Sequence, residues 1–337
     1  MPPEGVVPRF RGNGVIEFEP HVYRDPGEGE VLLAIGANAI CGSDRHQYVN
    51  GSPIVPGHEV AGVVVAAGSG TSVAVGTRGV AYLMDYCGAC RSCGVGATNQ
   101  CLAKRGDVGL TVDGGYGPFV LTHETNFFQV DDTTTLPEAT LLLDVMGTSG
   151  HALRRAERVR DDIESIYIAG AGPIGLGLLV MARIRYGDDL PIHVSDVSPW
   201  RLEFAESFGV RAVDATDTRT IENLRPDLAF DSSGRGSARQ LAISALGKRG
   251  ALICVGHGED LTLNVSRDLI APERAVLGSE YFRYDEMAEN LRLLGAHRAL
   301  LGRVITHVLP VEELPGAFEL FLSGKTGKVV ITQELAT

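Results

Sequence analysis

No apolar run in this 337-residue chain is long enough to cross a bilayer. The N-terminal stretch from Met1 to Val7 also lacks the basic segment followed by an apolar one that marks a secretory leader. These absences predict a cytoplasmic protein with no membrane partner. Basic residues are in deficit, 30 Lys and Arg against 42 Asp and Glu, for a formal charge of −12. Such a surface repels a polyphosphate backbone, which argues against nucleic acid as a partner. There is no internal repeat and no low-complexity linker, and the 42 glycines follow no collagen-like period. What remains is a loop-rich α/β protein. Cysteine is scarce and uneven: four of the six crowd into fifteen residues, a distribution unlike a secreted disulfide framework. Cys254, inside the apolar run 251–255, reads as a buried strand residue.

The length suits two domains, and 44% hydrophobic residues suffice to bury both cores. From about residue 5 to 143 the chain consists of short β-rich pieces broken by Gly and Pro, such as 30–35 and 60–65. From Ser165 the texture becomes alternating: strands at 165–169, 191–195, 227–231 and 251–255, with helices at 199–208 and 237–246 between them. Repeated β-α units demand a parallel sheet covered on both faces. A tail follows after about residue 285, with one amphipathic helix, the stretch 304–310, a helix at 311–321 and a last strand at 328–332.

Cys87, Cys90, Cys93 and Cys101 have a spacing that lets one loop wrap four thiolates around a single tetrahedral zinc. All four positions are then filled by protein, which makes the site structural. A redox C-x-x-C pair is the rival reading, and the further thiols speak against it. Gly170, Gly172 and Gly175 form a G-x-G-x-x-G after an apolar strand and before a helix, with Pro173 and Ile174 completing the turn. There Gly170 permits the tight turn, Gly172 lets the backbone approach a pyrophosphate, and Gly175 allows close helix-to-strand packing. Asp196, twenty-one residues beyond Gly175, is placed to accept from both hydroxyls of an adenosine ribose. Its carboxylate repels a 2′-phosphate, so NAD is favoured over NADP, although Arg201 five residues later can soften that preference.

Two further segments gain meaning together, Cys41-Gly-Ser-Asp-Arg-His46 and Gly57-His-Glu-Val-Ala-Gly62. With the cysteine lobe and the glycine turn they resemble the zinc-dependent medium-chain alcohol and polyol dehydrogenases, the sorbitol dehydrogenase-like family, over residues 31–331. The resemblance implies a Rossmann doubly wound domain at 145–285. It also implies a discontinuous, mostly β, GroES-like catalytic domain at 1–144 and 286–337, with the structural-zinc lobe at 86–102. Cys41 and His58 are implied ligands of a catalytic zinc, and Glu59 an outer carboxylate or, in some states, a direct ligand. Thiolate, imidazole and carboxylate suit zinc and leave one position open for water or substrate.

The third ligand of the family falls in the segment 141–151. Polyol dehydrogenases carry a glutamate there seven residues before a histidine, and here Asp144 stands seven before His151. Aspartate is one methylene shorter, and the usual following proline is Val145, so two arrangements stay open. Either the metal lies closer to Asp144, or Glu59 completes the shell and Asp144 binds through water. A capping or salt-bridging Asp144 is the plain alternative. Ser43 and His46 match the proton relay of the family, Tyr48 a cleft aromatic, and Arg283 the Phe-Arg-Tyr segment of sorbitol and xylitol dehydrogenases. For Arg283 a loop ion pair is the other reading. The stretch 76–80 also departs from the family's Gly-Asp-Arg-Val.

The implied reaction is oxidation of a secondary alcohol of a polyol, cyclitol or sugar to a ketone. In it a zinc-bound alkoxide gives up hydride to NAD. Aldose 1-dehydrogenase, threonine dehydrogenase and simple alcohol dehydrogenase are alternatives, as is a nucleotide-binding relative without turnover. Relatives pair through the strand matching 275–278, which implies a homodimer or homotetramer acting on a small-molecule alcohol.

Overall fold

The computed structural model describes residues 3–336. In chain order the strands are β1 (Glu4–Gly12), β2 (Val15–Val22), β3 (Glu30–Ala39), β4 (Glu59–Ala67), β5 (Arg78–Ala81), β6 (Met84–Asp85) and β7 (Gly106–Asp107). They continue as β8 (Phe119–His123), β9 (Phe127–Gln129), β10 (Ile166–Ala169), β11 (Ile192–Asp196), β12 (Arg211–Asp214), β13 (Leu228–Asp231) and β14 (Ala251–Cys254). The last are β15 (Ala275–Gly278), β16 (Ile305–Pro310) and β17 (Lys328–Thr332). Two compact units result, one of residues 1–143, 283–323 and 328–337, the other of 144–282 and 324–327.

The first unit is built on a sheet of order β16-β17-β3-β4-β5-β9, with β8 also paired to β3. β3 is the hub, bonded antiparallel to β17, β4 and β8. All its residues beyond Glu30 are buried, because both faces are covered. Leu32 and Ala34 pack with Phe10, Tyr116 and Phe318 on one face, and Val31, Leu33 and Ile35 with Val60, Val64 and Val120 on the other. The strand read from the sequence as 30–35 thus runs on to Ala39. Its Gly-Ala-Asn-Ala continuation has little β propensity and is held by pairing with β4 and β17 instead.

The second unit carries a six-stranded parallel sheet of order β12-β11-β10-β13-β14-β15. β10 (Ile-Tyr-Ile-Ala) and β13 (Leu-Ala-Phe-Asp) are buried at every position, as strands covered on both faces must be. The strand order reverses between β10 and β13, which opens a crevice at their carboxyl ends. A GroES-like domain joined to a Rossmann domain is therefore the fold. Among the described residues no helix is long and apolar enough to cross a membrane.

Candidate active site and metal centres

The cysteine lobe springs from the short ladder of β6 and β7, where Met84 faces Asp107 and Asp85 faces Gly106. One sulfur from each of Cys87, Cys90, Cys93 and Cys101 lies within 4.8 Å of the others. Backbone amides point at these sulfurs: Cys87 N lies 3.3 Å from Cys101 Sγ, Cys90 N 3.4 Å from Cys87 Sγ, and Leu102 N 3.4 Å from Cys90 Sγ. Amides of Cys93 and Leu102 bring the Cys90 thiol down to about 6, toward the thiolate that a metal binds. Four sulfurs in a closed set fit a structural zinc.

Arg283 belongs to this lobe in the structure. Its guanidinium pairs with Asp285, Nη2 to Oδ2 at 2.6 Å, and presses so closely on Gly96 that a Cβ there would lie 2.3 Å from Nη2. Tyr284 anchors the same segment, donating its amide to Thr98 Oγ1 at 2.8 Å and its hydroxyl to Phe127 O at 2.6 Å. The carboxylate two residues on captures the guanidinium, and the arginine reading as a substrate contact gives way to the ion-pair reading.

A second donor group gathers Cys41, His58, Glu59 and Asp144, each offering one ligand atom within 4.8 Å of the rest, all four buried. Cys41 follows β3, and His58 and Glu59 open β4. The register Ala39 opposite Glu59 brings these strand ends side by side. Asp144 directly follows Leu143 and begins a π-helical turn, Asp144–Thr148, in which Thr148 Oγ1 donates to Asp144 Oδ1 at 2.9 Å. Such turns favour functional positions because they re-aim one side chain out of helical register. Thiolate, imidazole and carboxylates in one buried group are a donor set that fits zinc.

Three residues that the sequence reading left without a role support this group. Asp44 is fully buried, its Oδ1 is 3.2 Å from His58 Nδ1, and its Oδ2 accepts from Cys41 N at 3.1 Å and from the Tyr116 hydroxyl at 2.8 Å. With Nδ1 turned to Asp44, Nε2 is the nitrogen given to an ion. Burial holds the Tyr116 phenol far above its ordinary range, so it stays a donor. Lys328, which opens β17, is wholly buried and its ammonium pairs with the equally buried Glu59 carboxylate. A lysine at the head of the apolar strand Lys-Val-Val-Ile-Thr was the available signal, since an ammonium there needs a buried anion.

Helical periodicity sorts the helix Asp44–Asn50. Asp44, Gln47 and Tyr48 face inward, whereas Ser43 at the N-cap and His46 are exposed one turn apart. Tyr48 stacks on Phe318 at 4.9 Å and meets Phe10 edge-on at 6.3 Å, inside the core rather than among the donor atoms.

In the second unit β10 runs into Gly170, whose φ of 99° favours glycine, and a Cβ on Gly175 would lie 1.9 Å from Gly170 O. Gly172 caps the helix Pro173–Tyr186 with no side-chain cap, so its N-terminal amides stay available to an anion. Over Gly172 the nearest group is Arg201 Nη1, 3.8 Å from where a Cβ would be. Asp196 ends β11, accepts from Ala171 N at 2.8 Å and Ser198 N at 2.9 Å, and lies 3.8 Å from Arg201 Nη1. Asp196 thus also braces the glycine turn, a structural duty its spacing does not reveal.

The model for the alcohol dehydrogenase GroES-like domain matches residues 27–132, and that for zinc-binding dehydrogenases matches residues 173–296. The L-threonine 3-dehydrogenase of Coxiella burnetii is 29% identical over 331 residues, with 92% of this chain and 93% of that protein covered. Among solved structures, the cobalt- and zinc-bound thermostable alcohol dehydrogenase of Pyrobaculum aerophilum is 25% identical at a TM-score of 0.83, covering 98% of this chain and all of that one. Acetophenone reductase of Geotrichum candidum, in complex with NAD, is 26% identical at a TM-score of 0.83, with 99% and 98% covered. With its two domain matches, its cysteine lobe and its Cys-His-carboxylate group, the chain belongs to the zinc-dependent medium-chain alcohol dehydrogenase family.

Proposed function

We propose that the chain oxidises a secondary alcohol of a polyol, cyclitol or sugar to the ketone, with NAD as hydride acceptor. Cys41, His58 and Asp144 are assigned to the catalytic zinc, and Cys87, Cys90, Cys93 and Cys101 to the structural one. When bound, the catalytic zinc supplies Lewis acidity at the alcohol oxygen. The observation that carries this reading is the buried donor group with Glu59 already neutralised by Lys328. Because that glutamate has its own cation, Asp144 is the carboxylate left to balance the metal. A carboxylate in this third position is the polyol-type arrangement.

The Gly170 turn receives the pyrophosphate and Asp196 the adenosine ribose, with Arg201 alongside. Held there, the nicotinamide would supply the acceptor for the hydride of the carbinol C–H bond. The hydroxyl proton leaves by Ser43 and then His46, which stand one turn apart on the exposed face of their helix.

A second reading, oxidation of the 3-hydroxyl of threonine, draws on the 29% identity to threonine 3-dehydrogenase over nearly the whole chain. One assay separates them: NADH formation by zinc-loaded protein with polyols, cyclitols, aldoses, threonine and simple alcohols, NAD and NADP in parallel. Turnover confined to a polyol, cyclitol or sugar supports the first reading. Preference for threonine establishes the second, and silence with both cofactors bound removes both.

A further inference from the structure

The crevice of the second unit has two walls. On one side stand the glycine turn after β10 and Asp196 at the end of β11, the half that takes the adenosine and pyrophosphate. On the other stand the loops after β13 and β14, which are left to meet the nicotinamide half. These two loops touch almost backbone to backbone. A Cβ on Gly234 would lie 2.0 Å from His257 O, and one on Gly256 would lie 2.5 Å from Gly234 N. No side chain can act as a spacer between them there.

One buried ion pair ties them instead. Asp231, the last residue of β13, is wholly buried, and its Oδ1 accepts from Ser233 N at 2.9 Å, Ser233 Oγ at 2.7 Å and Gly234 N at 3.1 Å. Its Oδ2 accepts from Arg239 Nε at 2.7 Å. Arg239, on the helix Gly236–Ala245, spreads the rest of its fork over the next loop, donating from Nη2 to Gly256 O and from Nη1 to Glu259 O. A single planar guanidinium thereby links the loop after β13, the loop after β14 and the helix that carries it. The same assembly reaches the glycine turn, because Ser232 Oγ lies 3.0 Å from both Ala169 O and Gly170 O.

We propose that Asp231 and Arg239 form a positioning pair that holds the nicotinamide-side wall of the crevice at the spacing hydride transfer requires. The pair touches neither substrate nor reacting atoms; it acts through the loops 232–236 and 255–259. The proposal rests on the nicotinamide-cofactor reading. Arg239→Lys keeps a charge beside Asp231 yet cannot make the two carbonyl bonds of the fork, and Arg239→Gln gives up the charge as well.

The test compares NADH with AMP, a probe confined to the adenosine half, by titration calorimetry on the full-length protein. Both variants are expected to bind AMP within about twofold of wild type and to weaken NADH by about tenfold or more, the loss falling on the nicotinamide half alone. Asp231→Asn, which keeps an acceptor for the loop amides, is expected to fall between. Equal weakening of AMP and NADH, or loss of AMP binding in all three variants, would assign the pair to general stability and overturn the proposal. Unchanged NADH binding would overturn it too. Wild-type protein that takes AMP but not NADH would instead refute the cofactor reading beneath it.

Discussion

Replacing Lys328 by Met puts the metal centre's charge balance to a direct test. The ammonium of Lys328 and the carboxylate of Glu59 are paired and both inaccessible to solvent. Methionine matches the lysine stem in length and apolar character, so little packing is lost and the change falls on the charge. Breaking a buried pair from one side leaves the other charge uncompensated, at a cost of about 3–5 kcal/mol. For a unit of this size, ~1 kcal/mol corresponds to roughly 2–4 °C in melting temperature, which gives a fall on the order of 10 °C. The double variant Lys328→Met with Glu59→Gln removes both charges and is expected to recover at least half of that loss. The assay is thermal denaturation of wild type, both single variants and the double variant at fixed zinc concentration, read as a double-mutant cycle. A Lys328→Met protein melting within about 2 °C of wild type, or a double variant no more stable than the single, would refute the charge argument.

Tyr116→Phe removes the hydroxyl that donates to Asp44, and zinc is expected to leave the buried centre about tenfold more readily in competition with a chelator; identical zinc release would remove Tyr116 from the metal's support. Asp144→Ala is expected to lose the catalytic zinc and turnover while keeping the lobe zinc, with metal content as the readout. Full content and rate would disprove its assignment as a ligand. Cys101→Ala should open the lobe to proteolysis and release one zinc, leaving NADH titration of the second unit unchanged, since the glycine turn shares no residue with the lobe. Asp196→Asn takes away the charge opposed to a 2′-phosphate and should raise the preference for NADP over NAD by about tenfold or more, measured as the ratio of kcat/KM values; an unmoved ratio would mean that Arg201 sets the choice.

The parts legible in the sequence are those whose chemistry is local. Four cysteines within fifteen residues and a glycine turn between a strand and a helix announce themselves because ligand spacing and φ are properties of neighbouring residues. Long-range partners are different. Lys328 and Glu59 are 269 positions apart and meet through the pairing of β3 with β17 and β4; Tyr116 and Asp44 are 72 apart, on segments that flank β8 and β3, which pair with each other. Tyr48 shows the opposite failure. The resemblance made it a cleft aromatic, but a helix turns about 100° per residue, and the same turn that exposes His46 sends Tyr48 into the core. Arg283 was assigned by its neighbours in sequence, and Asp285 beside it decided its direction.

On the proposed ligand assignment, the charges also give a reason for the shorter aspartate at position 144. A zinc ion carries two positive charges, and the Cys41 thiolate supplies one negative charge against it. Were Glu59 the second, the metal and the Lys328 ammonium would compete for one carboxylate in a site with no access to water. With Glu59 held by Lys328 and His58 Nδ1 beside Asp44, the proposed assignment gives the second negative charge to Asp144. The π-helical turn that begins at this residue is the means of reach. It takes the backbone out of regular helical register at that point, and Thr148 holds one carboxylate oxygen at 2.9 Å. Lengthening this side chain to glutamate without relaxing the turn should crowd the centre, so Asp144→Glu is expected to retain zinc while lowering kcat more than it raises KM.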